Sequence, residues 1–261
     1  MFNTVLYEIS EQVATITLNR PEVMNAFNLE LHEEFYQALQ LANQDPQVRS
    51  IIIKGAGKGF SAGADLSSIK TENGATLDYG DFLRQTYNRT MLYMNRLPKP
   101  IVSSIQGPAF GAGLGIALAS DFRIASTTSS FSLAFIKIGL MPDAGVTYFL
   151  PRIIGLSKSI ELATLAPTLQ GEEAYRLGLI NQVVEAELLE QETREFALRL
   201  AESPTKAFGL MKQAMSQSFE NSLESMLEKE AQGQSILGKT KNHAEGVQAF
   251  FQKRKAHFTG E

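Results

Sequence analysis

Two kinds of hydrophobic pattern alternate along the first half of the chain. "TVLYEIS" (4–10) and "VATITLN" (13–19) read as strands joined at Glu11-Gln12. In "NLELHEEFYQALQLANQD" (28–45), Leu31, Phe35, Ala38, Leu39 and Ala42 recur at helical spacing, with Asn28 as N-cap. "VRSIIIKG" (48–55) is a short apolar run closed by a glycine, as in a buried strand. A glycine-rich loop, "GAGKGFSAGADL" (55–66), leads to an amphipathic helix over about 77–96 that carries Phe82, Tyr87, Met91 and Met94. "PIVSSIQG" (100–107) predicts another buried strand. "PAFGAGLGIALAS" (108–120) turns from small residues into a helix, and "DFRIAS" (121–126) is again strand-like. Strands alternating with helices in this way predict an α/β fold with crossover connections and a largely parallel sheet.

Beyond about residue 186 the pattern changes. "ELLEQETREFALRLAE", "PTKAFGLMKQAMSQ" and "SLESMLEKEAQGQSIL" are helical, and no strand-like run follows them. The expected organisation is an α/β core over 1–186 and a helical C-terminal section over 187–261. The 261 residues are 44% hydrophobic and 20% charged, an ordinary globular composition, and the net charge of −4 argues against nucleic acid or an anionic membrane as partner. The absence of cysteine removes disulfides, thiol nucleophiles and thiolate-bound zinc. His32, His243 and His257 form no metal-binding spacing, so no metal is expected. No signal peptide, lipidation motif or membrane-length apolar run is read, and the expected location is the cytoplasm.

Two loops present chemistry through the backbone. "GFSAGADL" (59–66) follows a buried strand, at the end of an open sheet where ligands bind, and its small residues let a ligand approach the main chain. "GPAFGAGLG" (107–115) also follows a strand and opens a helix, although glycine costs about 1 kcal/mol relative to alanine inside one. It lacks the spacing of a dinucleotide fingerprint and the Lys of a phosphate-binding loop. Taken singly, each loop is also consistent with tight strand–helix packing. One N–H from each, aimed at a single oxygen, would form an oxyanion hole. A third feature is Asp143, in "IGLMPDAG" (138–145). Pro-Asp is ordinary turn chemistry, so Asp143 reads either as a turn-former or as a proton carrier. Of the competing acids, Asp65 reads as a cap and Asp121 as a structural residue at a helix-to-strand turn.

Six segments carry a resemblance: "NRPEVMNAFN", "GFSAGADL", "PIVSSIQGPAFGAGLGIALASDFRIAS", "FSLAFIKIGLMPDAG", "LPRIIG" and "GEEAYRLGLINQVV". Occurring in that order over essentially the whole chain, they resemble the crotonase (enoyl-CoA hydratase/isomerase) superfamily. The resemblance implies a spiral of ββα units with a helical C-terminal trimerisation section, and a homotrimer or dimer of trimers. It implies an acyl-CoA substrate, with coenzyme A arriving as part of the thioester and no separate cofactor. By motif position, the oxyanion-hole donors would be the Ala64 and Ala112 N–H groups. Adenine would lie against the backbone at Ser61 and Ala62, with Lys253, Arg254 and Lys255 as candidates for the phosphates. Tyr87, Met91, Phe135 and Leu140 are candidates to line the acyl pocket, whose shape would depend on the 67–90 region.

The same resemblance separates reaction types. The two glutamates of hydratases fall at Gly115 and Phe135, neither of which moves a proton. "FSLAFIKIGLMPDAG" is similar to the ring-1,2-epoxyphenylacetyl-CoA isomerases, which carry an aspartate at the position of Asp143, where Δ3,Δ2-enoyl-CoA isomerases carry a glutamate. A double-bond shift leaves net protonation unchanged, so one carboxylate suffices. An apolar setting of Phe135, Ile138, Leu140 and Met141 would raise its pKa. The rival readings are an atypical hydratase, an aspartate-nucleophile dehalogenase or hydrolase, and a non-catalytic thioester or RNA binder. The dehalogenase reading needs a histidine near the site, and His32, His243 and His257 lie outside the two loops and the segment between them in sequence.

Overall fold

The computed structural model describes residues 2–67 and 78–261. β1 (Val5–Ser10) and β2 (Val13–Leu18) form an antiparallel hairpin. Its two-residue turn places Glu11 and Gln12 at φ 48° and 67°, the left-handed geometry that matches strand twist. α1 (Leu29–Gln44) crosses over to β3 (Ser50–Gly55), with the Asn28 side chain accepting from Leu31 N–H at 2.9 Å as the expected N-cap. From β2 onward every pairing in the main sheet is parallel. β3, β4 (Ile101–Ile105), β6 (Phe122–Ser126) and β9 (Gln182–Val184) complete the order β1-β2-β3-β4-β6-β9.

Side-chain alternation along these strands builds two cores. Ile51 and Ile53 of β3 join Phe27, Leu31 and Phe35 under α1, whereas Ile52 faces the other way with Val102 and Ile124. That second face is closed by Leu189, Ala197 and Ala201 of α8 (Leu189–Ala201), a helix of the C-terminal section. Each fully buried aliphatic side chain contributes roughly 1.5–3 kcal/mol by burial.

Two features differ from the sequence reading. "PAF" (Pro108–Phe110) is not the approach to a helix but a short strand, β5. It pairs with β7 (Ser130–Ser132), and β7 with β8 (Leu169–Gln170), in a second sheet. The helix expected over about 77–96 starts outside the described residues and is two helices, α2 (Tyr79–Gln85) and α3 (Tyr87–Arg96). Thr86 separates them at φ −115° and ψ −94°, and its hydroxyl donates to the Phe82 carbonyl at 2.6 Å.

α4 (Ala112–Ala119) is buried along its whole length and packs on α5 (Val146–Ile154). α6 (Leu156–Leu165) and α7 (Gly171–Arg176) lead to β9. After α8 come α9 (Thr205–Gln217), α10 (Leu223–Leu237) and α11 (Lys241–Gln252). Among the described residues no helix is long and apolar enough to cross a membrane. Two buried polar anchors tie the C-terminal section to the sheet. Lys212 of α9 pairs with Asp121 at 3.0 Å, and Arg49 donates to the carbonyls of Ser203 and Phe258, each at 2.5 Å.

Candidate active site

The first loop is held by side chains that leave its outer N–H groups alone. Asn25, fully buried at φ 55°, donates from Nδ2 to the carbonyls of Ala56 and Gly59 at 2.9 Å and of Phe60 at 3.2 Å. The Ser61 hydroxyl donates to the Asn25 carbonyl at 2.9 Å and accepts from Gly63 N–H at 3.1 Å. Gly63 O accepts from Phe27 N–H, and Asp65 N–H donates to Phe27 O, so Ala64 lies between two bonded peptides. Its own N–H has no hydrogen-bond acceptor among the described residues. The second loop is stitched to the first, since Phe110 N–H donates to Ser61 O at 2.9 Å. Gly111, at φ 52°, then turns the chain into α4, and the Ala112 N–H is likewise without an acceptor among the described residues.

Glycine makes the close approach of the two loops possible. A Cβ on Gly63, which sits at φ 94°, would lie 2.9 Å from Phe110 O and 3.0 Å from Ala112 N. One on Gly113 would lie 2.5 Å from Ser61 O. The loop before Ala64 therefore runs directly against the start of α4, and two free N–H groups, backed by the helix dipole, are available to an anion.

Asp143 sits in a turn whose carbonyl accepts from Val146 N–H at 2.9 Å, followed by Ala144 and Gly145 at φ 47° and 76°. It is a turn residue, and its carboxylate is also unlike those of the other two acids. Asp143 Oδ1 is buried without a hydrogen-bond partner, and burial lifts the carboxyl to about 6. Asp65 accepts from the Ser67 hydroxyl at 2.6 Å and pairs with Arg20 at 2.9 Å, which hold it below the ordinary range. Burial raises Asp121 as well, but it accepts from Ile101 N–H and pairs with Lys212, a structural role as expected. The expected surroundings of Asp143 need correction. Ile138 and Met141 are 55% and 71% exposed and do not enclose the carboxylate. Met91 lies instead beside Gly145, 3.6 Å from the position of an added Cβ, and the Asp143 charge acts on the buried Tyr87 hydroxyl.

The two positions at which hydratases carry glutamate are occupied in instructive ways. A Cβ at Gly115 would lie 2.7 Å from Ala144 O and 2.8 Å from Ala144 Cβ. The turn that carries Asp143 fills the space a side chain at 115 would need. The Phe135 ring is buried, with Cζ 3.8 Å from the Cβ position of Gly111, so it flanks the entry to α4. Leu140 is half-buried against the same core.

The candidate coenzyme A contacts fare differently. Ala62 is half-buried, but Ser61 is fully buried and offers a ligand no surface; it organises the loop instead. Arg254 pairs with Glu245 at 2.6 Å and Lys255 with Glu202 at 2.7 Å. Ser203 and Phe258, which flank these residues in sequence, are bound to Arg49 at the start of β3. The glycine-rich loop leaves the other end of that strand, so within one chain Lys253, Arg254 and Lys255 are not brought to it. Surface grooves of about 690 Å³ between β1 and α1, and of about 610 Å³ against α11, contain none of the proposed acid/base, oxyanion or acyl-pocket residues.

Sequence order also hid His32. It is buried on α1, with its ring centroid 4.2 Å from that of Tyr87, edge to face, and burial lowers its pKa to about 3. It is neutral and a weak base there, poorly suited to activating water. Its only signal in the sequence is that it follows Leu31 on the apolar face of a helix.

A family model described as Enoyl-CoA hydratase/isomerase matches residues 8–261. The chain belongs to this family. It is 38% identical over 262 residues to an Escherichia coli protein named 1,2-epoxyphenylacetyl-CoA isomerase, spanning 100% of both chains. It is 40% identical over 259 residues to a Rhodobacter capsulatus protein named "Probable enoyl-CoA hydratase", covering 99% of each. A crystal structure of enoyl-CoA hydratase from Bacillus anthracis superposes with a TM-score of 0.92 at 33% identity, covering 99% of this chain and 100% of that one. The fold is therefore that of the crotonase-like enoyl-CoA hydratase/isomerases, with their C-terminal helices, and both isomerase and hydratase names occur among its relatives.

Proposed function

We propose that this enoyl-CoA hydratase/isomerase family member is an acyl-CoA isomerase, working through a thioester enolate with one acid/base group. The carboxylate of Asp143 takes a proton from C2 of a 3-enoyl-CoA, and negative charge moves to the thioester oxygen. The Ala64 and Ala112 N–H groups hold that oxyanion, and Asp143 returns the proton at C4. Isomerisation of a ring epoxide of phenylacetyl-CoA uses the same enolate and the same groups. Each oxyanion donor of this kind contributes about 2.7–4 kcal/mol to the transition state.

The observation that carries this reading is Asp143 itself. Its Oδ1 is buried without a hydrogen-bond partner among the described residues, and burial raises the carboxyl to about 6, while the place of a second acid at Gly115 is filled by Ala144. Adding water to a double bond calls for one group to activate the water and another to deliver a proton. The assembly we propose is a homotrimer or dimer of trimers in the cytoplasm. In its support, Phe219, Leu223, Phe250 and Phe251 leave apolar surface exposed on and beside the C-terminal helices.

The test is to assay purified protein with 3-hexenoyl-CoA and crotonyl-CoA, alongside Asp143→Asn. Wild type is expected to isomerise the first and to hydrate the second poorly. The variant should lose at least 10²-fold in kcat with thioester binding intact, the scale of a lost general base. Efficient hydration of crotonyl-CoA, or an active Asp143→Asn enzyme, would overturn the reading.

A further inference from the structure

The end of β4 brings a polar side chain to the first loop that the proton chemistry does not use. Gln106 follows Ile105, the last residue of β4, and precedes the glycine that opens the second loop. Its Nε2 donates to Gly55 O at 2.7 Å and to Gly59 O at 2.8 Å, with Gly57 O at 3.3 Å. Gly55 is the last residue of β3, so these carbonyls mark out the beginning of the glycine-rich loop. The other amide atom, Oε1, is buried without a hydrogen-bond partner among the described residues. Turned the other way, the amide would set that oxygen against three carbonyl oxygens, so the acceptors fix its orientation. An apolar side chain of the same length would leave no oxygen unpaired, and buried polar atoms almost always find partners. The position tolerates an orphan acceptor and gains a two-hydrogen donor among backbone carbonyls.

The backbone around Gln106 makes this grip a joint between the two loops. Gly59 O accepts from Gln106 on β4 and also from Asn25, which comes from the segment before α1. A Cβ on Gly107 would collide with Lys58 O, so the second loop leaves β4 already in contact with the first. Phe60 N–H and Ser61 N–H both donate to Pro108 O, at 3.0 and 3.1 Å. The loop gripped by Gln106 ends in the Ala64 N–H, and the segment that Gln106 begins ends in the Ala112 N–H. We propose that Gln106 is a positioning residue for the oxyanion hole: by clamping the Gly55 and Gly59 carbonyls to the end of β4, its amide sets where the Ala64 N–H stands relative to the Ala112 N–H. The inference rests on the reading of those two groups as donors to the thioester oxygen. Gln106 acts through the loop and touches no reacting atom. Its effect is large for its distance because an oxyanion hole works only while its donors are aimed at one point.

Infrared difference spectroscopy of bound hexanoyl-CoA, labelled with carbon-13 at the thioester carbonyl, reads the hole without turnover. Hydrogen bonds from the hole lower the carbonyl stretching frequency, so the wild-type band is expected below that of the ligand in solution. In Gln106→Met, which keeps the length and removes the donor, the band should move back toward the solution frequency. The kcat for 3-hexenoyl-CoA should fall about tenfold, with KM and the Kd of hexanoyl-CoA within about twofold of wild type, the split expected when transition-state stabilisation alone is lost. Gln106→Lys restores donors at that reach and should hold the band near its wild-type place and recover most of kcat. A glutamine that only stabilises the loop would lower the thermal midpoint of Gln106→Met and leave the band and kcat unchanged. That outcome overturns the proposal, as does a lysine variant that behaves like the methionine one. If Gln106→Met does not fold, the lysine variant decides alone. A wild-type band that is not displaced defeats the oxyanion reading itself, whereas a displaced band indifferent to position 106 defeats only the role of Gln106.

Discussion

At the scale of a single residue, the Asp143 carboxyl links activity and stability through one proton. Its pKa of about 6 stands above the ordinary 3.8 because burial penalises the charged form. As the proposed base it must be ionised, so kcat/KM is expected to rise with pH through a midpoint near 6, measured as a pH–rate profile. Stability runs the opposite way. Below about pH 4 the carboxyl is protonated in both folded and unfolded chains and costs nothing. As pH rises from about 4 to 6 only the unfolded chain ionises freely, and the folded state loses stability until both forms are charged. Holding the carboxylate ionised in its buried site then costs the folded chain roughly 2–3 kcal/mol. Asp143→Asn should therefore be more stable than wild type by an amount of that order above pH 6, with the difference vanishing below pH 4 in denaturant titrations. The sequence made Asp143 conspicuous by leaving non-acidic residues at 115 and 135. It did not reveal the neighbours of this turn, because Met91, beside Gly145, and Tyr87, which feels the Asp143 charge, arrive from a helix more than fifty residues earlier.

Among the elements, Gly63, Gly113 and Gly115 serve close contacts rather than flexibility. Gly115 takes the helix against the Ala144 carbonyl, where an added methyl would press on backbone at 2.7 Å. Gly115→Ala is expected to cost about 1–3 kcal/mol by overpacking. It should also lower kcat on the order of 10²-fold, because the turn it displaces carries the proposed base. Thermal unfolding and steady-state kinetics on one preparation check both. β1, β2, β3, β4, β6, α1 and the loops were readable because apolar period and glycine clusters mark them locally. The break at Thr86 was not, since "RQTYNR" continues a helical pattern and only the Thr86 backbone angles and its hydroxyl bond to Phe82 reveal it. β5 escaped for a similar reason. Three residues have no period of their own, and the strand exists by pairing with β7, twenty-two residues away.

Across the whole molecule, the polar contacts that fasten the C-terminal helices to the sheet include a largely shielded ion pair. Lys212 and Asp121 are both largely shielded, so removing one partner strands the other's charge. Lys212→Met is expected to lose about 3 kcal/mol in denaturant unfolding. Adding Asp121→Leu should restore much of that, since the paired loss leaves no isolated charge. The helices α8–α11 were visible as a change from mixed to helical periodicity near residue 186. The return of α8 onto the second face of the sheet was not, because Leu189, Ala197 and Ala201 resemble any amphipathic stripe. The basic end at 253–255 shows the limit most clearly. The resemblance implies phosphate there, and the fold of one chain pairs Arg254 with Glu245 and Lys255 with Glu202.

The contact between Gly115 and Ala144 also bears on how chemistries can diverge within this family. A glutamate at 115 and the present path of residues 143–145 claim the same volume. No single substitution at 115 can therefore add the missing acid while leaving Asp143 where it is. An evolutionary or engineered passage from this chain toward water addition has to exchange the helix position and the turn as one cassette. An intermediate carrying only half the exchange is expected to be less stable, because the helix position and the turn then press on one another.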